Sequence, residues 1–117
     1  MRGALLLFVA AMGSAVAASQ PPAAGNATNG KRLFERDGCF QCHGYAGQGG
    51  RDGARIAATA MSAAAFSRYI RRPLGAMPAF TEKVLSDGDA ADLYAYLQSM
   101  PRAKAARDIP LLNQLRR

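Results

Sequence analysis

The sequence predicts an all-α domain of three to four helices gathered around a central ligand. Three observations carry that expectation. Three segments place apolar residues at i, i+3 and i+4, each behind a capping residue. No stretch alternates apolar and polar residues over a useful strand length. And the string Cys39-Phe40-Gln41-Cys42-His43 follows directly on the first segment. No internal repeat is visible.

The first helix starts at Asn26 or Thr28, either of which can cap it, and runs to about Asp37, where Gly38 stops it. Gly30, Leu33 and Phe34 share its apolar face. Gly44 to Ala60 holds five glycines and no apolar period, so a loop that folds around a ligand edge is expected. Ser62 caps the second helix, Ala63 to Arg72, which Pro73 ends. Its apolar side is Phe66, Tyr69 and Ile70. Residues 73–85 return to irregular chain. Ser86 and Asp89 then stand at capping-box spacing ahead of a last helix that reaches about Met100 and stops at Pro101. Ala90, Leu93, Tyr94 and Leu97 form its stripe, with Tyr96 beside them.

The C-x-x-C-H string is the attachment signature of a c-type haem. Two thiols on one tight turn can each add across a vinyl group on the porphyrin edge. The adjoining His43 is then held where its imidazole can ligate the iron. Other uses of two cysteines fit less well. A thioredoxin-like pair needs a βαβ context, and nothing upstream resembles a buried strand. A zinc site needs four ligands, where this chain offers two cysteines and one histidine. A small disulfide is the remaining alternative in an exported protein.

His43 is the only histidine, so the opposite face of the iron falls to a methionine, a weaker ligand or nothing. Met77 is the expected ligand. It sits on irregular chain between Pro73 and Pro78, where stiffened backbone holds a thioether with little entropy left to lose. Met61 is expected at the pocket edge and Met100 in the packing.

Residues 1–17 have the pattern of a cleaved signal peptide: Arg2, the apolar stretch Ala4 to Met12, then Ala15-Val16-Ala17. Cleavage falls after Ala17 or, one register on, after Ala18. The apolar stretch falls short of the roughly 20 residues a membrane span needs, so the mature form is expected to have none. An uncleaved anchor is the alternative. Export points to the periplasm. The chain carries a formal charge of +7. No nucleic acid is expected as partner there, since the basic residues form no aromatic-interleaved run. The surplus suits docking to a redox partner protein with an acidic face, or plain solubility.

With these residues in place, the chain resembles the class I bacterial cytochromes c, the small monohaem periplasmic type, over about residues 26–100. The resemblance rests on Gly30-x-x-x-Phe34, Cys39-x-x-Cys42-His43-Gly44, Arg72-Pro73-x-x-x-Met77-Pro78-x-Phe80 and Asp92-Leu93-Tyr94-Ala95-Tyr96-Leu97. It implies a cytochrome c-like fold wrapped around one covalent haem c on Cys39 and Cys42, with His43 and Met77 as axial iron ligands. It also implies that Gly30 and Phe34 meet Leu93, Tyr96 and Leu97 where the first and last helices cross. One departure shows. The family usually carries Gly-Pro after the histidine, the proline carbonyl accepting the imidazole Nδ1 hydrogen. Gly53-Ala54-Arg55-Ile56 stands there instead, and the Ala54 carbonyl is expected to do the same job. Arg55, Tyr69 and Arg72 are candidate propionate partners.

An iron closed by His and Met has no open position for substrate, so one-electron transfer is expected in place of catalysis. The protein would serve as a periplasmic carrier or as the cytochrome subunit of a dehydrogenase. The alternative is a haem-based gas sensor or haem enzyme with a displaceable Met, against which stand the lack of a second histidine and of a distal acid/base pair. The expected organisation is a signal peptide at 1–17, a flexible lead-in at 18–28, the cytochrome c domain at 29–100 and a basic tail at 101–117. That tail contains the apolar patch Ile109-Pro110-Leu111-Leu112. A docked subunit would bury the patch on its partner; the other expectation is a disordered or self-packed tail.

Overall fold

Each of the three capped segments is a helix, and the cap residues set where each begins. The computed structural model describes residues 24–115. The expected signal peptide, most of the lead-in and Arg116-Arg117 lie outside the described residues. The described residues form helices and loops, with no strand, so the class is all-α.

Helix α1 spans Ala27–Arg36. Asn26, not Thr28, caps it: its side-chain oxygen accepts from the Thr28 N–H at 2.9 Å and the Asn29 N–H at 3.1 Å. The helix therefore starts just inside the segment expected as lead-in. Gly38 follows at φ 71°, a left-handed conformation that glycine adopts at little cost, and turns the chain directly into α2, Cys39–His43. Helix α3 spans Ala63–Arg71, with Ser62 accepting from the Ala65 N–H at 3.2 Å. Helix α4 spans Asp87–Ser99 behind a reciprocal capping box. Ser86 Oγ accepts from the Asp89 N–H, and Asp89 Oδ2 accepts from the Ser86 N–H, both at 3.1 Å.

Helices α1 and α4 cross at Gly30, where a Cβ would overlap the Asp92 carbonyl oxygen and lie 2.7 Å from the Tyr96 Cβ. Only glycine allows that approach. Phe34 and Tyr96 meet edge-to-face beside the crossing, centroids 5.5 Å apart at 68°. The Asp92 carboxylate clasps the start of α1, accepting from the Asn26 N–H at 2.6 Å and the Asn29 side-chain amide at 2.7 Å. Those donors, Asn29 foremost, hold its carboxyl below the usual carboxylate range.

Helix α3 packs on α4 through Phe66 and Tyr94, and the Tyr94 hydroxyl donates to the Met61 carbonyl at 2.8 Å. Leu33, Phe34, Phe66, Ile70, Leu85, Leu93, Leu97 and Met100 are buried in one cluster. Beyond Pro101 the chain forms a 3-10 turn, Ala106–Asp108, and a short helix α5, Pro110–Gln114, which packs on that turn and on no other described helix. Leu111, Leu112 and Leu115 are exposed on it. Among the described residues, no helix is long and apolar enough to cross a membrane.

Candidate haem site

The one-turn helix α2 concentrates the chemistry. Cys39 and Cys42 are three residues apart, hence on one face of the turn, and both thiols are free. Cys39 is partly buried, and that burial, aided by the negative charge of Asp37, pushes its thiol up to about 11. Cys42 is exposed.

His43 closes the turn. Its Nδ1 lies 2.6 Å from the Ala54 carbonyl oxygen. A carbonyl only accepts, so Nδ1 carries the hydrogen and Nε2 keeps a lone pair for a metal. The Ala54 carbonyl thus stands where the departure from Gly-Pro led us to expect it. The glycine loop is tied so as to present it. Gly49 N–H donates to the His43 carbonyl and Gly50 N–H to that of Gly53, both at 2.8 Å. Gly53 runs so close to α2 that a Cβ would lie 2.7 Å from the Cys42 carbonyl oxygen and 3.0 Å from His43 Nδ1. Further along, Ala58 N–H donates to the Leu97 carbonyl at 2.7 Å, and the Gln98 amide donates to Thr59 at 2.8 Å, which seats the loop on the end of α4.

These elements enclose a cavity of about 890 Å³. That is at the large end of cofactor pockets, which run to about 1,000 Å³. Cys39, Cys42 and His43 line it together with Met61 and Met77, and Phe34, Phe66, Ile70, Phe80, Leu85 and Leu93 supply much of its apolar wall. Met77 is half-buried, whereas Met61 is 40 % exposed. Met100 does not line the cavity; it is buried in the core against Gly47. Of the three expected propionate partners, Arg55 and Tyr69 line the cavity and Arg72 does not. Arg72 caps the end of α3, at φ −140° and ψ 67°, and is exposed. Asp37, Gln41, Arg51 and Asp52 also line the cavity, unmarked by any spacing in the sequence.

No group of three or more His, Cys, Asp or Glu gathers as a metal site among the described residues. Two free thiols on one turn, an imidazole with Nε2 available and a large, mostly apolar chamber fit a porphyrin tethered by its edge. A helical fold that opens a C-x-x-C-H turn onto such a chamber defines a cytochrome c domain. Residues 25–97 match the model of the family described as cytochrome c oxidase, cbb3-type, subunit III, a monohaem cytochrome c family, and the chain belongs to that family. Haem and electron transfer come with that membership. No curated protein and no solved structure matches the chain.

Proposed function

We propose that the chain carries one covalent haem c on Cys39 and Cys42, with His43 and Met77 as axial iron ligands, and transfers single electrons without catalysing a reaction of its own. The observation that carries this is the gathering of Cys39, Cys42, His43 and Met77 on one cavity wall system, although Met77 comes from a different loop. Once bound, the haem supplies an iron that alternates between two oxidation states one electron apart. The protein does the rest. The Nδ1–H···O bond to Ala54 fixes the imidazole plane and raises the basicity of Nε2. A thioether from Met77 favours the reduced iron and raises the potential. The apolar wall excludes water, so little reorganises when charge moves.

Export through residues 1–17 and a periplasmic address belong to the same proposal, as does the division into lead-in, cytochrome domain to residue 100 and basic tail. The excess of Lys and Arg would steer the domain to an acidic face on a redox partner, with an on-rate that falls as salt rises. The protein would work as a free carrier or as a docked cytochrome subunit, of a dehydrogenase or of an assembly such as the oxidase the family description names.

The test is an optical titration of the matured protein, oxidised and reduced, beside Met77→Ala. Low-spin haem c bands and a weak thioether-to-iron(III) band that vanishes in the variant are expected. A high-spin spectrum that takes up carbon monoxide freely and ignores the substitution would replace electron transfer by a sensor or enzyme.

A further inference from the structure

Met77 lies on a segment that is irregular from Pro73 to Ser86, apart from turns at 75–76 and 82–84. Irregular chain does not hold a side chain in place by itself, so its ties to the body of the fold matter. The Arg36 guanidinium of α1 donates to the Val84 carbonyl at 3.2 Å, and the other side-chain ties converge on one residue. Arg71, the last residue of α3, donates from Nη1 to the Phe80 carbonyl at 2.8 Å and to the Leu85 carbonyl at 2.6 Å. Its Nη2 donates to the Asp87 carboxylate at 2.8 Å. The guanidinium side chain is only 17 % exposed. Alongside it, the Phe80 N–H donates to the Ile70 carbonyl at 2.9 Å. Arg71 does not line the cavity; it reaches the site only through the backbone of the Met77 segment.

We propose that Arg71 is a positioning residue that keeps the Met77 thioether at the iron and so keeps foreign ligands off it. The inference rests on the ligation assigned above to Met77. Chemistry explains why arginine is needed. A rigid planar fork with five donors can serve two carbonyls and a carboxylate at once, which a single ammonium on a flexible stem does not reproduce. Without the fork, the Phe80 and Leu85 carbonyls turn to water, and the loop gains open conformations in which Met77 leaves the cavity. Every such conformation exposes the iron, so the apparent affinity for an added ligand rises with their population.

The experiment uses the ferric holoprotein, imidazole and cyanide as probes, and four variants: Arg71→Gln, Arg71→Lys, Asp87→Asn and Met77→Ala. Arg71→Gln should bind imidazole at least tenfold more tightly than the parent, with a weakened thioether-to-iron(III) band. Arg71→Lys should fall on the same side, and it decides the matter if the glutamine variant does not fold. Asp87→Asn should stay near the parent, because that carboxylate is 77 % exposed and its ion pair is worth little. Faster amide exchange at Phe80 in the arginine variants is the second expected sign. If both arginine variants melt earlier yet bind imidazole like the parent, while Met77→Ala binds it far more tightly, Arg71 is merely structural and the proposal is overturned. If Met77→Ala itself changes neither spectrum nor affinity, the ligation has failed, and the positioning role fails with it.

Discussion

Replacing Gly53 by alanine probes the histidine side of the site without replacing a ligand. The new Cβ would stand 2.7 Å from the Cys42 carbonyl oxygen, where ordinary contact begins at 3.4 Å. The two nearest obstructing atoms are backbone, and the third, His43 Nδ1 at 3.0 Å, belongs to a ring held by its bond to Ala54. The loop or the α2 turn must yield by about 0.7 Å, and the loop is the part that carries the Ala54 carbonyl. A shift of that size takes the 2.6 Å bond from His43 to about 3.3 Å, beyond the useful N–H···O range. Overpacking costs about 1–3 kcal/mol and the lost hydrogen bond about 0.5–1.5 kcal/mol, so the expected destabilisation is about 2–4 kcal/mol. Losing the bond also makes the imidazole a poorer donor, which raises the reduction potential. Gly50→Ala is the internal control, because a Cβ there meets nothing within 4 Å. Urea denaturation and a redox titration of the three holoproteins provide the readouts. Equal stability and equal potential for the two variants would refute the close-approach reasoning.

Other perturbations test separate parts of the structure. Ala54→Pro should preserve the haem spectrum and stabilise by about 0.4–1 kcal/mol: the Ala54 N–H makes no hydrogen bond among the described residues, and Gly53 tolerates a following proline. Loss of ligation on optical titration would count against the Ala54 carbonyl as the acceptor. Gly30→Ala should destabilise by about 1–3 kcal/mol despite the better helix propensity of alanine, because the Asp92 carbonyl blocks the Cβ; a gain in melting temperature would contradict the crossing geometry. Asp92→Asn should cost about 1 kcal/mol at pH 7, from weakened bonds to Asn26 and Asn29 at a mostly solvated site. The Asp92 carboxyl is depressed in the fold, so its contribution is complete above the ordinary carboxylate pKa of about 3.9 and fades as pH falls through the lower folded value. Denaturation midpoints of parent and variant should therefore converge in acid and separate towards neutrality.

Local chemistry made the helices legible. Asn26, Ser62 and the Ser86/Asp89 pair each announce a helix start by the hydrogen bond they can make, and each makes it. The apolar spacing of Gly30, Leu33 and Phe34 marked a face that is buried. The Ala54 carbonyl was legible for another reason: a main-chain acceptor depends on chain position and not on the side chain. What escaped depends on direction in space. Arg71 and Arg72 are neighbours of one kind, but Arg71 is the last helical residue and Arg72 leaves helical geometry, and only the assembled fold turns Arg71 inward and leaves Arg72 in solvent. Helix α5 is a different case. Pro110 at its first turn is a start marker, yet the leucines behind it read as a bare apolar patch because five residues are too few to show a period.

The hydrogen bond from the Asn26 N–H to Asp92 joins positions 66 residues apart. The intervening chain, with the C-x-x-C-H turn and the Met77 segment, is thereby a ring fastened at one clasp. Fastening so large a ring is entropically unfavourable, but only weakly more so with each added residue, so insertions in its outer loops should be tolerated far better than damage at the clasp. The entrance and exit of the ring lie side by side. The folded unit does not end at that exit, because Leu93, Leu97 and Met100 beyond it are buried in the core.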